Sequence, residues 1–110
     1  MYEYNAFVRK VYDGDTITVD LDLGFDIVLK NQKLRLARIN APEVRGEQRP
    51  AGLKSRDSLR ERIGNKWIVV KTMKDKKGKY GRWIADIFLG NECINDWLLT
   101  ENLAKPYGEK

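Results

Sequence analysis

Two acidic residues flank a glycine near the start of the chain, in the segment VYDGDT at positions 11–16. An Asp-Gly pair is a frequent hairpin turn, so the simplest interpretation is a surface turn with an acid on either side of the glycine. The alternative is a carboxylate held at a rigid turn, where it could coordinate a hard cation such as Ca²⁺. Taken alone, this segment favours the plain turn.

A second candidate is the cationic side chain of Arg35, which is in phase with Ala37 and Ile39 on a predicted strand. A solvated sheet edge would explain this pattern. A phosphate ligand would also explain it, because the planar guanidinium fork matches phosphate geometry. Pro42 ends the strand and fixes the chain just before Glu43. That carboxylate is either held in a definite direction for chemistry or is an ordinary charge in a loop or at a helix start.

The third candidate is the basic segment DKKGKYGRW at positions 75–83. Such a glycine-containing basic stretch is usually a solvated connection between two strands. Here the aromatic ring of Tyr80 lies beside Lys79 and close to Arg82 in the sequence, a combination that would also hold a phosphate with a stacked base.

Composition narrows the chemistry available to these side chains. The chain has 110 residues, enough for one domain covering residues 1–110, and a net charge of +5, which favours a polyanionic partner. It has no histidine and a single cysteine, Cys93, which excludes histidine bases, an intrachain disulfide and a cysteine zinc site. Carboxylates and arginines are left to do any chemistry.

Two sequence features bear on the cellular setting. No apolar run approaches the roughly 20 residues that span a bilayer, so no membrane partner is expected. The first ten residues, MYEYNAFVRK, lack the charged and apolar regions of an export signal, so we expect a cytoplasmic protein.

The hydrophobic pattern predicts five strands and two helices that would position the three segments. Strands are predicted at about 7–12, 16–23, 27–39, 66–73 and 82–89, the third bent or interrupted at Asn31-Gln32, with a charged loop at 74–81; helices are predicted at about 51–63 and 93–102. The predicted core-facing helix positions are Leu53, Leu59, Ile63, Ile94, Trp97, Leu98 and Leu103. This order predicts an α+β fold dominated by β structure, a five-stranded OB-type Greek-key barrel with two helices.

Taken together, the three segments resemble the staphylococcal nuclease family. The matching motifs are Asp-Gly-Asp-Thr, Arg-Leu-x-x-Ile-Asn-Ala-Pro-Glu and Lys-Tyr-Gly-Arg, in the family's order and on the expected elements. The resemblance runs from about residue 7 to residue 107, nearly the whole chain. It therefore implies an SNase-like OB-fold nuclease domain.

The resemblance also implies a site for one Ca²⁺ ion. Asp15 matches the family's first calcium ligand, and Asp13 matches a nearby acid that acts through water. Asn40 stands where a second carboxylate ligand is usual, and Ala41 matches a position that binds calcium through its backbone carbonyl. Because the amide of Asn40 removes one negative charge, we expect weaker calcium binding than at a two-aspartate site.

The resemblance also implies which residues are catalytic and which bind the substrate. Glu43 matches the glutamate that acts as general base, and Arg35 and Arg82 match two arginines that grip the scissile phosphate. Lys79 and Tyr80 match residues that contact a neighbouring phosphate. The nucleoside pocket of the family matches Leu36, Ile84 and Tyr107.

Two functional hypotheses from different classes follow. The first is a calcium-dependent nuclease, cleaving DNA, RNA or both at ends or internal bonds, with little base discrimination because the matched groups contact phosphate and one stacked base. The second is a non-catalytic OB-fold module that binds nucleic acid or protein. Asn40 favours the second hypothesis, whereas the presence of Glu43, Arg35 and Arg82 together favours the enzyme. No feature implies a protein partner, and we expect a monomer.

Overall fold

A computed structural model describes residues 2–77 and 83–108, with side chains described for 2–72 and 83–108. The elements in this part of the chain are β1 (Tyr2–Asp13), β2 (Thr16–Asp22), β3 (Val28–Leu36), β4 (Ile39–Asn40), a 3₁₀ turn (Gly46–Gln48), α1 (Arg49–Ile63), β5 (Trp67–Lys77), β6 (Trp83–Leu89), β7 (Glu92–Cys93), α2 (Ile94–Thr100) and β8 (Lys105–Pro106).

Five of these strands close into a barrel. The strand order is β3-β2-β1-β5-β6, with antiparallel pairing between neighbours. The barrel closes where β3 pairs with β6 in parallel, Leu34 opposite Trp83 and Leu36 opposite Ala85. A closed five-stranded barrel with two helices confirms the predicted OB-type α+β fold.

The core lies inside the barrel and under α1 and α2. Alternate strand residues point inward, as the period of a strand requires. The fully buried strand side chains include Val8, Ile17, Val19, Leu34, Val70 and Ile87, and the helices add Leu59, Ile63, Ile94 and Leu98. Burial of one such side chain contributes about 1.5–3 kcal/mol of transfer free energy. Of the other predicted helix positions, Leu103 is buried, whereas Leu53 and Trp97 are partly exposed.

The predicted bend in the third strand is a β-bulge. β3 continues through Asn31, but Lys30 and Asn31 together face the single residue Asp20 of β2. Asn31 has a positive φ of 56°, and its backbone N–H donates to Asp20 Oδ1 at 3.0 Å. The strand is therefore bent at the predicted position without interruption.

The chain turns at Ala37 and Arg38, where a continuous strand was predicted. Arg38 has a φ of 68°, which a strand cannot accommodate, and β4 begins at Ile39. The predicted in-phase relation of Arg35 with Ala37 and Ile39 is therefore wrong, because strand alternation stops at Leu36. The predicted loop 74–81 also needs correction, since β5 extends to Lys77.

The buried amide of Asn95 holds this turn against the barrel. Its Oδ1 accepts a hydrogen bond from the Ile87 N–H at 2.9 Å, and its Nδ2 donates to the carbonyls of Ala37 and Ala85 at 2.9 and 3.2 Å. An amide buried with all these bonds made avoids the cost of unpaired polar groups. Asn95 of α2 therefore fixes the segment that leads from β3 to β4.

Neither helix in the described part of the chain has the length and apolar character needed to span a bilayer.

Candidate functional site

A cleft of about 820 Å³ opens over the outer face of β1, β2 and β3 and the segment after β4. Six of the predicted site residues line it: Asp13, Asp15, Arg35, Asn40, Ala41 and Glu43. These residues come from three separate parts of the sequence, and the pairing of β1, β2 and β3 together with the turn after β3 brings them together.

Asp15 is a buried carboxylate with a fixed orientation. Its Oδ2 accepts a hydrogen bond from the Ala41 N–H at 2.8 Å, and its Oδ1 accepts one from the Thr16 hydroxyl at 3.2 Å. The backbone carbonyl of Asp15 also accepts from the Leu36 N–H at 2.8 Å. Its carboxylate therefore joins the β1–β2 turn directly to the segment that carries Asn40 and Ala41.

Asp13 is a second carboxylate beside the first. Its Oδ1 accepts a hydrogen bond from the Asp15 N–H at 3.0 Å. The pKa of Asp13 is raised to about 7, first by burial and then by hydrogen bonding with, and repulsion from, the neighbouring Asp15 carboxylate. Two acids thus face one small region of the cleft.

Arg35 lies at the edge of this acidic region. Its Nη1 donates to the Leu36 carbonyl at 2.9 Å and lies 3.4 Å from Asp15 Oδ2. The ring of Tyr107 is 5.8 Å from the guanidinium carbon, within range of a cation–π contact. With 18% of its side chain exposed, Arg35 is held in place, and within the described residues its Nε and Nη2 bind no partner.

Glu43 is exposed at the cleft, but its backbone is fixed. Its N–H donates to Gln48 Oε1 at 3.0 Å, and the next carbonyl, that of Val44, accepts from Arg49 Nη1 at 3.0 Å. The carboxylate can therefore sample the cleft from a rigid attachment point.

Two glycines allow the close packing behind these acids. A Cβ on Gly14 would lie 2.8 Å from the Cβ of Ala41 and 2.9 Å from that of Ser55 on α1. A Cβ on Gly52 of α1 would overlap the carbonyl of Glu43. Both are needed because backbone approaches backbone or Cβ here, and neither has a positive φ.

The predicted nucleoside-pocket residues occupy different environments. Leu36 is 1% exposed and belongs to the core, Ile84 is partly buried opposite Arg35 on β6, and Tyr107 is 69% exposed over Arg35. Their role in substrate binding stays a prediction. Three further predicted site residues lie outside the described residues: Lys79, Tyr80 and Arg82.

Other residues of the cleft were not singled out from the sequence. Lys10 and Lys33 line it, as does Tyr12, whose hydroxyl accepts a hydrogen bond from Arg45 Nη2 at 3.1 Å. One signal was available: Lys33 precedes Arg35 by two residues, so the two side chains must share a face of β3. Nothing in the sequence pattern signalled Lys10, which is separated from the acidic turn by a register shift in β1.

The donor set determines which metal would fit. Within the described residues no group of three or more Asp, Glu, His or Cys side chains forms a cluster that could hold a metal. At the β1–β2 turn the cleft instead offers the carboxylates of Asp13 and Asp15, and it is also lined by the amide of Asn40 and the exposed carboxylate of Glu43. All these donors are oxygen atoms, the ligands that hard cations such as Ca²⁺ prefer, so the residues fit such an ion.

Comparison with known proteins shows which family this chain belongs to. A family model described as Staphylococcal nuclease homologue matches residues 33–110. The chain is 34% identical over 101 residues to a thermonuclease of Staphylococcus hyicus and 32% identical over 101 residues to a thermonuclease of Staphylococcus intermedius. Each alignment covers 89% of this chain and 56% of the relative.

A third relative is an uncharacterised protein of Methanocaldococcus jannaschii. It is 26% identical over an alignment of 129 positions, which covers 94% of this chain and 59% of that protein. The chain thus spans little more than half the length of these relatives. The family match begins at Lys33, within β3, and includes all later elements, and the thermonuclease alignments cover most of the chain. The resemblance found in the three sequence segments is confirmed, and the chain belongs to the staphylococcal nuclease family.

Proposed function

We propose that this domain is a calcium-dependent phosphodiesterase that cleaves DNA, RNA or both with little sequence specificity. The observation that carries the proposal is the meeting of Asp15, Arg35 and Glu43 in one cleft. A fixed acid, a cation held at its edge and a second, exposed acid are the groups that hydrolysis of a phosphodiester requires. The two relatives named thermonuclease support the same conclusion.

Asp15 and Asn40 would hold one Ca²⁺, with Asp13 acting through water and Ala41 through its backbone carbonyl. When bound, such an ion stabilises charge on a phosphoryl oxygen and helps to orient water. The hydrogen bonds to Asp15 from Ala41 and Thr16 hold its carboxylate in one orientation before any ligand arrives. The carboxylate of Asp13 is held at the same turn, because it accepts a hydrogen bond from the Asp15 N–H.

Glu43 would accept the proton of the attacking water. Its carboxylate is exposed in the cleft that also holds Asp15 and Arg35, so a water molecule can lie between Glu43 and a bound phosphate. A well-placed general base contributes about 10²- to 10⁴-fold in rate. The Gln48 and Arg49 hydrogen bonds to this segment keep the base near its position.

Arg35 would stabilise the negative charge that develops on the phosphoryl oxygens. Its contacts with Asp15 and Tyr107 orient the guanidinium before substrate binds, and preorganised donors of this kind need no rearrangement during the reaction. We assign the same role to Arg82 from the family resemblance alone.

The preference among bases should be small. The proposed groups contact phosphate, which carries no sequence information, and the exposed ring of Tyr107 offers a stacking surface to any base.

The test is cleavage of single-stranded and duplex DNA and RNA by the purified protein, with Ca²⁺, with Mg²⁺ or with a chelator. We expect cleavage with Ca²⁺ and none with the chelator. Glu43→Gln should lower kcat by about 10²- to 10⁴-fold, and Arg35→Ala by about 10²- to 10³-fold. The matched control is Glu61→Gln, an exposed acid on α1 away from the cleft, which should leave kcat unchanged.

Asn40 favours one alternative function, that of a non-catalytic OB-fold module that binds nucleic acid or protein. The amide supplies one charge fewer to a cation than a carboxylate would. Binding of an oligonucleotide without cleavage under any metal ion would favour this module and contradict the enzyme.

A further inference from the structure

The strand register places three polar residues in a row across the floor of the cleft. Lys10 of β1 is paired with Thr18 of β2, and Thr18 is paired with Lys33 of β3. All three residues line the cleft. Because neighbouring strands lie about 4.8 Å apart, the two lysines flank the threonine at a distance that their long side chains can span.

This row lies directly beside the proposed catalytic row. The next outward-facing residues on the same strands are Asp13, Thr16 and Arg35, which are also paired across β1, β2 and β3. On β2 and β3 the two rows are separated by two residues, or about 7 Å at the strand rise. Adjacent phosphates of an extended polynucleotide strand are a comparable distance apart.

The two lysines are not neutralised by nearby acids. Both are exposed, and within the described residues neither is engaged in a hydrogen bond or an ion pair. Arg9, the other cation at this end of the cleft, is different, because its Nε is bound to Asp20 Oδ2 at 2.6 Å. Lys10 and Lys33 therefore present two uncompensated charges to a ligand.

We propose that Lys10, Thr18 and Lys33 form a second phosphate site, which binds the phosphate next to the scissile one in a single polynucleotide strand. This inference rests on the proposed nuclease function, since it assigns the path of that substrate. The polynucleotide then runs along the direction of β2 and β3, with one phosphate at Arg35 and its neighbour over the lysine row. The preferred substrate is therefore an oligonucleotide with a phosphate on each of two successive linkages.

The first test is the salt dependence of binding, measured in chelator so that no cleavage is needed. The probe is a fluorescent single-stranded oligonucleotide, and the variant is Lys10→Ala/Lys33→Ala. The variant should lose the contact with one phosphate. The magnitude of the slope of log affinity against log salt should therefore fall by about 0.7, the value for one phosphate on a single strand. The matched control, Lys54→Ala/Lys66→Ala, removes two exposed lysines outside the cleft and should keep the natural slope.

The second test is kinetic and uses a substrate in which a methylphosphonate replaces one phosphate beside the scissile linkage, on either side in turn. For the natural protein, neutralisation on one side should raise KM about two- to thirtyfold, the range expected for two exposed charge contacts. The alanine pair should show the higher KM with the normal substrate, little change in kcat, and no further response to the methylphosphonate. Lys10→Arg/Lys33→Arg should restore the response.

The outcomes separate this proposal from the nuclease assignment. A shallower salt slope without cleavage in any protein supports the phosphate site and rejects the enzyme. Cleavage by an alanine pair whose salt slope and methylphosphonate response equal those of the natural protein overturns the phosphate site alone. A fall in kcat with unchanged KM also overturns it, because it would place the lysines in the chemical step.

Discussion

At the scale of single residues, the site is organised around Asp15. Its carboxylate is buried, accepts hydrogen bonds from Ala41 and Thr16, and lies beside Arg35. Asn40 precedes Ala41 and lines the same cleft, so a substitution there changes the charge of the site and leaves the Asp15–Ala41 hydrogen bond in place.

Asn40→Asp should lower the calcium concentration needed for half-maximal activity. The added carboxylate supplies a second formal charge near the proposed ion, and carboxylates bind Ca²⁺ more strongly than amides for electrostatic reasons. The measurement is a calcium titration of cleavage for the natural and variant proteins. The control is Asn91→Asp, an exposed residue between β6 and β7, which should not shift the titration. An Asn40→Asp protein that needs as much calcium or more contradicts the charge argument.

At the scale of elements, α1 packs behind Glu43, the proposed base. Gly52 lets the helix backbone approach the Glu43 carbonyl, and Gly14 lets the β1–β2 turn approach Ser55 on the same helix. The helix packs on β1, and its side chains Leu59 and Ile63 are fully buried, so the barrel and both acidic segments share one support.

Gly52→Ala should destabilise the protein and lower kcat together. Alanine normally stabilises a helix by about 1 kcal/mol relative to glycine, but the overlap with the Glu43 carbonyl should cost about 1–3 kcal/mol. The shift of Glu43 should reduce activity in the fraction that remains folded. Urea unfolding and kcat at a temperature where the variant is folded measure the two effects. Ser58→Ala on the same helix is the control. A more stable, fully active Gly52→Ala protein would mean that the helix does not position Glu43.

At the scale of the whole molecule, ion pairs connect distant parts of the surface. Arg38, in the β3–β4 turn, pairs with Asp86 of β6 and Asp96 of α2 at 2.8 and 3.0 Å, and Arg62 of α1 pairs with Glu92 of β7. These exposed pairs each contribute little to stability. Arg38 and Arg62 are thus engaged by acids elsewhere on the surface, whereas among the residues that the structure describes Lys10 and Lys33 of the cleft form no ion pair.

Asp20 makes the stability of the barrel depend on pH. Hydrogen bonding from the Asn31 N–H, and then from Arg9, lowers its pKa below the ordinary 3.8. An acid with a lowered folded-state pKa stabilises the protein above its unfolded-state value, and this contribution is lost as pH falls through the folded-state value.

Asp20→Asn should therefore reduce the free energy of unfolding at pH 7, and the difference from the natural protein should narrow below about pH 4, where the unfolded-state acid begins to take up a proton. Urea unfolding of both proteins from pH 7 down to the acid limit of the native state measures this. The control is Asp57→Asn, which removes an exposed acid of α1 whose ion-pair partners are Arg56 and Arg60. A gap that does not change with pH would show that the charge of Asp20 is unimportant.

Much of this protein follows from its sequence because the relevant interactions are local. α1 was predicted at about 51–63 and spans Arg49–Ile63, since Pro50 suits the first turn of a helix and Gly64 follows the last. The alternation of polar and apolar residues along β2 likewise predicts that Ile17, Val19 and Leu21 share a buried face. The short acidic and basic motifs are sufficient to identify the family, because their order and residue types are properties of the sequence alone.

Other features depend on strand register and barrel closure, which join residues far apart in the chain. The break at Ala37 and Arg38 is stabilised by Asn95, 58 positions after Ala37, so local strand propensity predicts a longer strand. The hydrogen bond from Ala41 to Asp15 and the row of Lys10, Thr18 and Lys33 likewise arise only when β1, β2 and β3 pair. The types of the reactive groups are thus local information, whereas their convergence on one cleft is decided by long-range packing.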